Sequence, residues 1–229
     1  MQALIALVTG GIAGIIHVLT GPDHLAAVTP FTVDKRSRAW LVGLLWGVGH
    51  TAGVWTIGVL VFLFKEMLPV DLLSAWSERL VGAVLVVLGI WGIRRGFTTR
   101  LHYHEHKHDG DRHAHFHLHS PESSHKKKHS HTAHHHSHAP FGIGSLHGLA
   151  GSSHLIGVLP ALALSSQVAT IMYVVGYGVG SIAAMTAFSW VMGKFVQRML
   201  IRSIRAYNYL LISFALMAIG VGVFWLVMI

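Results

Sequence analysis

Apolar residues run through this chain in long unbroken stretches, with no steady alternation of apolar and polar positions. Six stretches are long enough for a helix that crosses a bilayer, which takes about 20 residues. They cover roughly 3–33, 39–64, 76–97, 141–164, 167–193 and 204–229. The first is too long for one straight helix and carries Gly21-Pro22 in its middle. Proline removes a backbone donor and disfavours helix in the residue before it, so a broken first helix is predicted. Such breaks are tolerated at membrane depth where the freed backbone lines a protein cavity. The pattern predicts an all-α membrane protein with six transmembrane helices.

Composition sharpens this picture. The 229 residues are 52% hydrophobic and only 11% charged, against about a quarter charged in an ordinary soluble domain. The N-terminus lacks a basic leader region and enters an apolar stretch directly, so the first segment is expected to be retained. Cysteine is absent, which removes disulfides, thiolate metal sites and thiol nucleophiles from consideration. Fifteen of the 17 Lys and Arg residues fall in three connections: after the first span (Lys35, Arg36, Arg38), after the third (Arg94 to Lys128) and after the fifth (Lys194 to Arg205). The positive-inside rule places these loops in the cytoplasm and both termini outside, in a bacterial or archaeal plasma membrane. The net charge of +8 is therefore read as a topology signal. No nucleic-acid partner is expected, and the bilayer itself is one.

Residues 98–140 differ from everything around them. Fifteen of the 20 histidines lie between His102 and His138, among Lys, Ser, Asp and Glu. So little apolar surface is available there that a disordered His-rich cytoplasmic loop is expected, one that can collect metal ions or serve as a passive linker.

The segment His17-Val-Leu-Thr-Gly-Pro-Asp-His24-Leu-Ala-Ala-Val-Thr-Pro30 aligns with His147-Gly-Leu-Ala-Gly-Ser-Ser-His154-Leu-Ile-Gly-Val-Leu-Pro160 at an offset of 130. At an offset of 131, Trp46-Gly-Val-Gly-His50 matches Tyr177-Gly-Val-Gly-Ser181. Each half then holds three spans, and an odd number turns one half upside down relative to the other. The expected architecture is a 3+3 inverted repeat: residues 1–97, the loop 98–140, and residues 141–229. Secondary transporters recur on this plan, with the site at the midplane where broken helices meet.

Within the spans, the candidate ligands are His17, Asp23, His24, His50, His147 and His154. Ionisable groups in hydrocarbon are costly and normally face the bundle interior on an ion pathway. Residues seven apart lie about 20° apart around an unbroken helix, so His17 and His24 share a face, as do His147 and His154. Imidazoles with one carboxylate suit nickel, cobalt, zinc, copper(II) or iron(II), whereas calcium and magnesium prefer all-oxygen shells. The plainer alternative is that these rings hydrogen-bond neighbouring helices. Thr20, Thr51, Ser152 and Ser153 are weaker candidates, and Met185, Met192 and Met199 read as packing.

The segment His17 to Ala27, with Gly49-His50 and His147-Gly-Leu-Ala-Gly151, resembles the nickel/cobalt transporter superfamily. Within it the likeness is to UreH-like proteins and efflux proteins with histidine-rich loops. The resemblance implies a role in metal recognition for His17, Asp23 and His24. It departs in one spacing: five residues, Val18 to Pro22, separate His17 from Asp23 where the family has four. The combined reading is a secondary transporter of Ni²⁺ or Co²⁺, not an enzyme, with no permanent cofactor. A cytoplasmic metallochaperone is a candidate partner. Metal and protons should compete for the histidines, because imidazole binds metal only when unprotonated. The alternatives are a membrane-embedded metalloenzyme, which would want more intramembrane acids, and a metal sensor dominated by the loop.

Overall fold

The expected break in the first apolar stretch falls at Gly21. The computed structural model describes residues 1–34, 36–64, 70–98, 100–108, 111–119, 138–149 and 157–228. Helix α1 (Gln2–Thr20) ends with the Gly21 N–H donating to the His17 carbonyl at 3.1 Å, and α2 (Pro22–Asp34) starts afresh. Pro22 fits the first position of a helix because its missing N–H would have no intrahelical partner there. A short 3₁₀ turn, Arg36–Arg38, leads into α3 (Ala39–Phe64), and α4 (Val70–Thr98) follows. After the insert come α5 (Ala139–Leu149), a 3₁₀ turn Leu159–Ala163, α6 (Gln167–Arg202) and α7 (Ile204–Met228).

Four of the described helices are long and apolar enough to cross a membrane: α1, α3, α6 and α7. They wear their apolar residues outward. Leu4, Ile5, Val8, Ile12, Ile16 and Leu19 of α1 are all exposed, as are Trp190 and Val191 of α6 and Val223 and Phe224 of α7. A soluble protein rarely leaves so much contiguous apolar surface to water. The molecule is membrane-embedded. At about 1.5 Å per residue, α6 is about 54 Å long, well beyond an apolar core of about 30 Å. Its last turns carry Lys194, Arg198 and Arg202.

Of the stretch 141–164, α5 covers the part up to Leu149 and a 3₁₀ turn the part Leu159–Ala163, while residues 150–156 lie outside the described residues. Within the histidine-rich insert the described segments β1 (Arg100–His108) and β2 (Asp111–His119) pair antiparallel, and histidine at every second position along them is a period-2 pattern. Residues 120–137 lie outside the described residues, and the body of the protein is all-helical.

The helices associate in a crosswise scheme. Helix α1 packs along α6, α5 packs along α3, and α4 packs along α7. Glycines let the backbones touch. A Cβ on Gly14 would strike the Tyr177 carbonyl, and one on Gly144 would come within 2.5 Å of the Trp46 carbonyl. These two contacts correspond at the 130 and 131 offsets. So do the approaches of Gly49 to Phe141 and of Gly180 to Gly11. Where α4 crosses α7 the contact is reciprocal: a Cβ on Gly82 would lie 2.8 Å from the Gly222 carbonyl, and one on Gly222 would lie 2.5 Å from the Gly82 carbonyl. Small faces of this kind are the usual means of close helix packing in a membrane.

Gly144→Ala is expected to lower unfolding stability in detergent by about 1–3 kcal/mol, since the added methyl meets fixed backbone. Gly58, whose Cβ would have nothing within 4 Å, provides the control: Gly58→Ala should hold or gain up to about 1 kcal/mol through helix propensity. Denaturant titration of both variants would expose an error in this packing if Gly144→Ala proved the equal of the parent.

Candidate metal centre

The break at Gly21 shapes the centre. Asp23 and His24 occupy the first turn of α2, where the free N–H groups and helix dipole favour a carboxylate. Their side chains fold back over Gly21, so that a Cβ there would lie 2.8 Å from Asp23 Oδ1 and against the His24 ring. Only glycine leaves that space open. His17 sits one turn before the break on α1, and its Nε2 lies 3.0 Å from His24 Nε2. The shared face expected from the seven-residue spacing survives the interruption.

Two other helices complete the cluster. Gly148 lets α5 press against the carbonyl of His50 on α3, which brings the His50 and His147 ring centroids to 5.8 Å. His24 is the centre: its ring lies 4.7 Å from His17, 4.9 Å from His50 and 4.6 Å from His147. His147 Nε2 reaches Asp23 Oδ2 at 3.1 Å. Asp23, His24, His50 and His147 are all buried, and His17 is half-buried.

Donor atoms converge in two overlapping sets. His17, His24 and His50 form one, and Asp23, His24 and His147 form the other, with the donor atoms of each set within 4.8 Å of one another. Five of the six candidate residues are thus brought together from α1, α2, α3 and α5. The sixth, His154, lies outside the described residues. The sequence reading grouped His17 with Asp23 and His24. The structure adds His147 as a partner of Asp23, 124 positions away, which sequence spacing cannot reveal.

Aromatic side chains form the walls, and the sequence reading passed over them. Tyr177 of α6 lies 5.6 Å from the His17 ring, Trp46 of α3 lies 6.2 Å from His147, and Trp225 of α7 stacks on His147 at 6.3 Å. Two of the three stood in the repeated motif and could have been found there. The hydroxyls behave as structural groups: Thr20 donates to the Ile16 carbonyl, Thr51 to that of Gly178 and Ser181 to that of Gly14. Met185 is buried in the main core with Trp46, Val28 and Leu85.

Comparison with known proteins agrees with a membrane protein of this kind. A chloroplast protein of Arabidopsis thaliana, FOR GROWTH AND FERTILITY 2, is 32% identical over 96% of this chain and 56% of its own length. The urease accessory protein UreH of Bacillus sp. (strain TB-90) is 27% identical over 84% of this chain and 78% of its own. A candidate nickel/cobalt efflux system of Methanocaldococcus jannaschii is 33% identical over 41% of this chain and 45% of its own. The chain spans about half the length (56%) of the Arabidopsis relatives it matches. No solved structure matches it. The family model described as the cytochrome c biogenesis protein transmembrane region matches residues 7–221, nearly the whole sequence, and the chain belongs to that family.

Proposed function

We propose that this protein is a secondary transporter of divalent transition-metal ions, Ni²⁺ or Co²⁺ foremost, with the histidine–aspartate cluster as its transit site. The observation that carries the reading is the convergence of three imidazoles and one carboxylate around His24, the five residues drawn from four helices, inside an apolar helical body. Charged and ionisable groups are retained in such surroundings where they serve an ion path. Nitrogen-rich donors with a single carboxylate select borderline transition metals over calcium and magnesium. Two donor sets sharing one residue also suit transit: an ion held by His17, His24 and His50 passes to Asp23, His24 and His147 with His24 never released.

The names of two relatives, one a nickel/cobalt efflux candidate and the other a urease accessory protein, support the same class of substrate. The chain itself contributes no thiol, having no cysteine. The correspondence of α1–α6 with α5–α3 contacts supports two inverted three-span halves, with α2 continuing the broken first span. On that arrangement the termini face outward, the histidine-rich insert faces the cytoplasm, and transport proceeds by alternating exposure of the cluster.

Nickel flux into proteoliposomes tests this directly. His24→Ala should reduce flux by at least about tenfold, the scale of losses seen when metal-site residues are removed. Flux equal to the parent's would take the cluster out of the mechanism. Removing residues 102–138 separates transport from a loop-centred sensing role: most of the flux should survive the deletion, and its disappearance would shift function to the insert.

A further inference from the structure

We propose that Trp46 and Tyr177 are a matched pair of gates, each closing one of two opposite routes to the histidine cluster. The proposal rests on the transporter reading above and adds the parts that decide which side the cluster faces.

The two residues are equivalent in the repeat, 131 positions apart at the head of the same Gly-Val-Gly motif. Their contacts are equivalent too, and crossed. Tyr177 of the second half covers His17 of the first, with ring centroids 5.6 Å apart and planes at 40°. Trp46 of the first half covers His147 of the second, at 6.2 Å and 53°. His17 and His147 are themselves equivalent at the 130 offset, and each belongs to a different donor set. Each set therefore has its own aromatic cover.

The backbones beneath the two rings are clamped in the same way. Gly14 packs against the Tyr177 carbonyl and Gly144 against that of Trp46, so movement at either place belongs to the side chain. Both rings are fully buried, at 1% and 0% exposure. Yet the Tyr177 hydroxyl and the Trp46 indole N–H have no hydrogen-bond partner among the described residues. A buried polar group left unmatched is costly, and its presence in a native protein calls for an explanation. A ring that alternates between covering the cluster and swinging into a hydrated path supplies one, since its polar tip is satisfied by water in the open position. Space is reserved for the tyrosine in particular. A Cβ on Gly157 would lie 2.6 Å from its hydroxyl.

Sidedness follows from position along the helices. Trp46 lies one turn before His50 on α3, and Tyr177 one turn before Ser181 on α6. With the halves inverted, one turn before the midplane points to opposite faces of the membrane.

The absence of cysteine makes the test clean. His50→Cys places a sole thiol in the cluster, and Ser181→Cys gives a second reporter at the equivalent position. Each is reconstituted in oriented vesicles and challenged from either side with a membrane-impermeant methanethiosulfonate. Tyr177→Ala should raise the labelling rate about tenfold or more from one side only, because the rate tracks the open population. Trp46→Ala should do the same from the other side only. Tyr177→Leu and Trp46→Leu, which keep more bulk against collapse, should show the same sidedness, while Tyr177→Phe and Trp46→Phe, which keep a ring but lose the polar tip that water satisfies in the open position, should label no faster than the parent. Acceleration from one shared side, from both sides, or in neither variant overturns the gates. Nickel flux is read separately on His24→Ala: flux equal to the parent's together with sided labelling removes the transit site and leaves the gates standing.

Discussion

Holding ionisable side chains inside an apolar helical body is the constraint around which this molecule is organised. A carboxylate and four imidazoles can be kept from water only if they satisfy one another, and they can do so only if their helices come very close. Glycine supplies that closeness. Gly21 leaves room for Asp23 and His24 to fold back, Gly148 lets α5 lie on the His50 carbonyl, and Gly14 and Gly144 bring in the helices that bear Tyr177 and Trp46. A methyl group at any of these places would push apart the groups that need each other. The polar centre and the glycine-lined contacts are two views of one requirement.

The exterior obeys the opposite rule. Helix α1 buries small residues, Ala6, Gly10 and Gly14 with Val18, and turns its large aliphatic side chains outward. The inside is small and polar while the outside is large and apolar. In water such a chain would aggregate, but in lipid the outer face needs no partner. Packing among the helices then depends on close fit and on a few buried hydroxyl contacts, such as that between Thr32 and Ser189.

Much of this was legible from the residues alone. The interruption at Gly21 followed from proline chemistry, and all six candidate ligands were picked out as ionisable residues inside apolar stretches, five of which the fold gathers. The repeat was read as two equivalent halves, and the glycines of its motifs make equivalent contacts. Other features were hidden for definite reasons. The pairing of Asp23 with His147 depends on how two broken helices meet, which local spacing does not encode. The aromatic walls went unremarked because a lone Trp or Tyr in a membrane stretch usually anchors or packs.

The crossing of α4 and α7 has a mechanical consequence. Gly82 and Gly222 meet carbonyl to α-carbon, with neither contributing a side chain between the two backbones. Leu85 and Val86 of α4 and Trp225 and Leu226 of α7 crowd round that bare contact, so a bulkier residue at Gly82 or Gly222 would wedge the two helices apart and carry Trp225 away from the His147 ring on which it stacks.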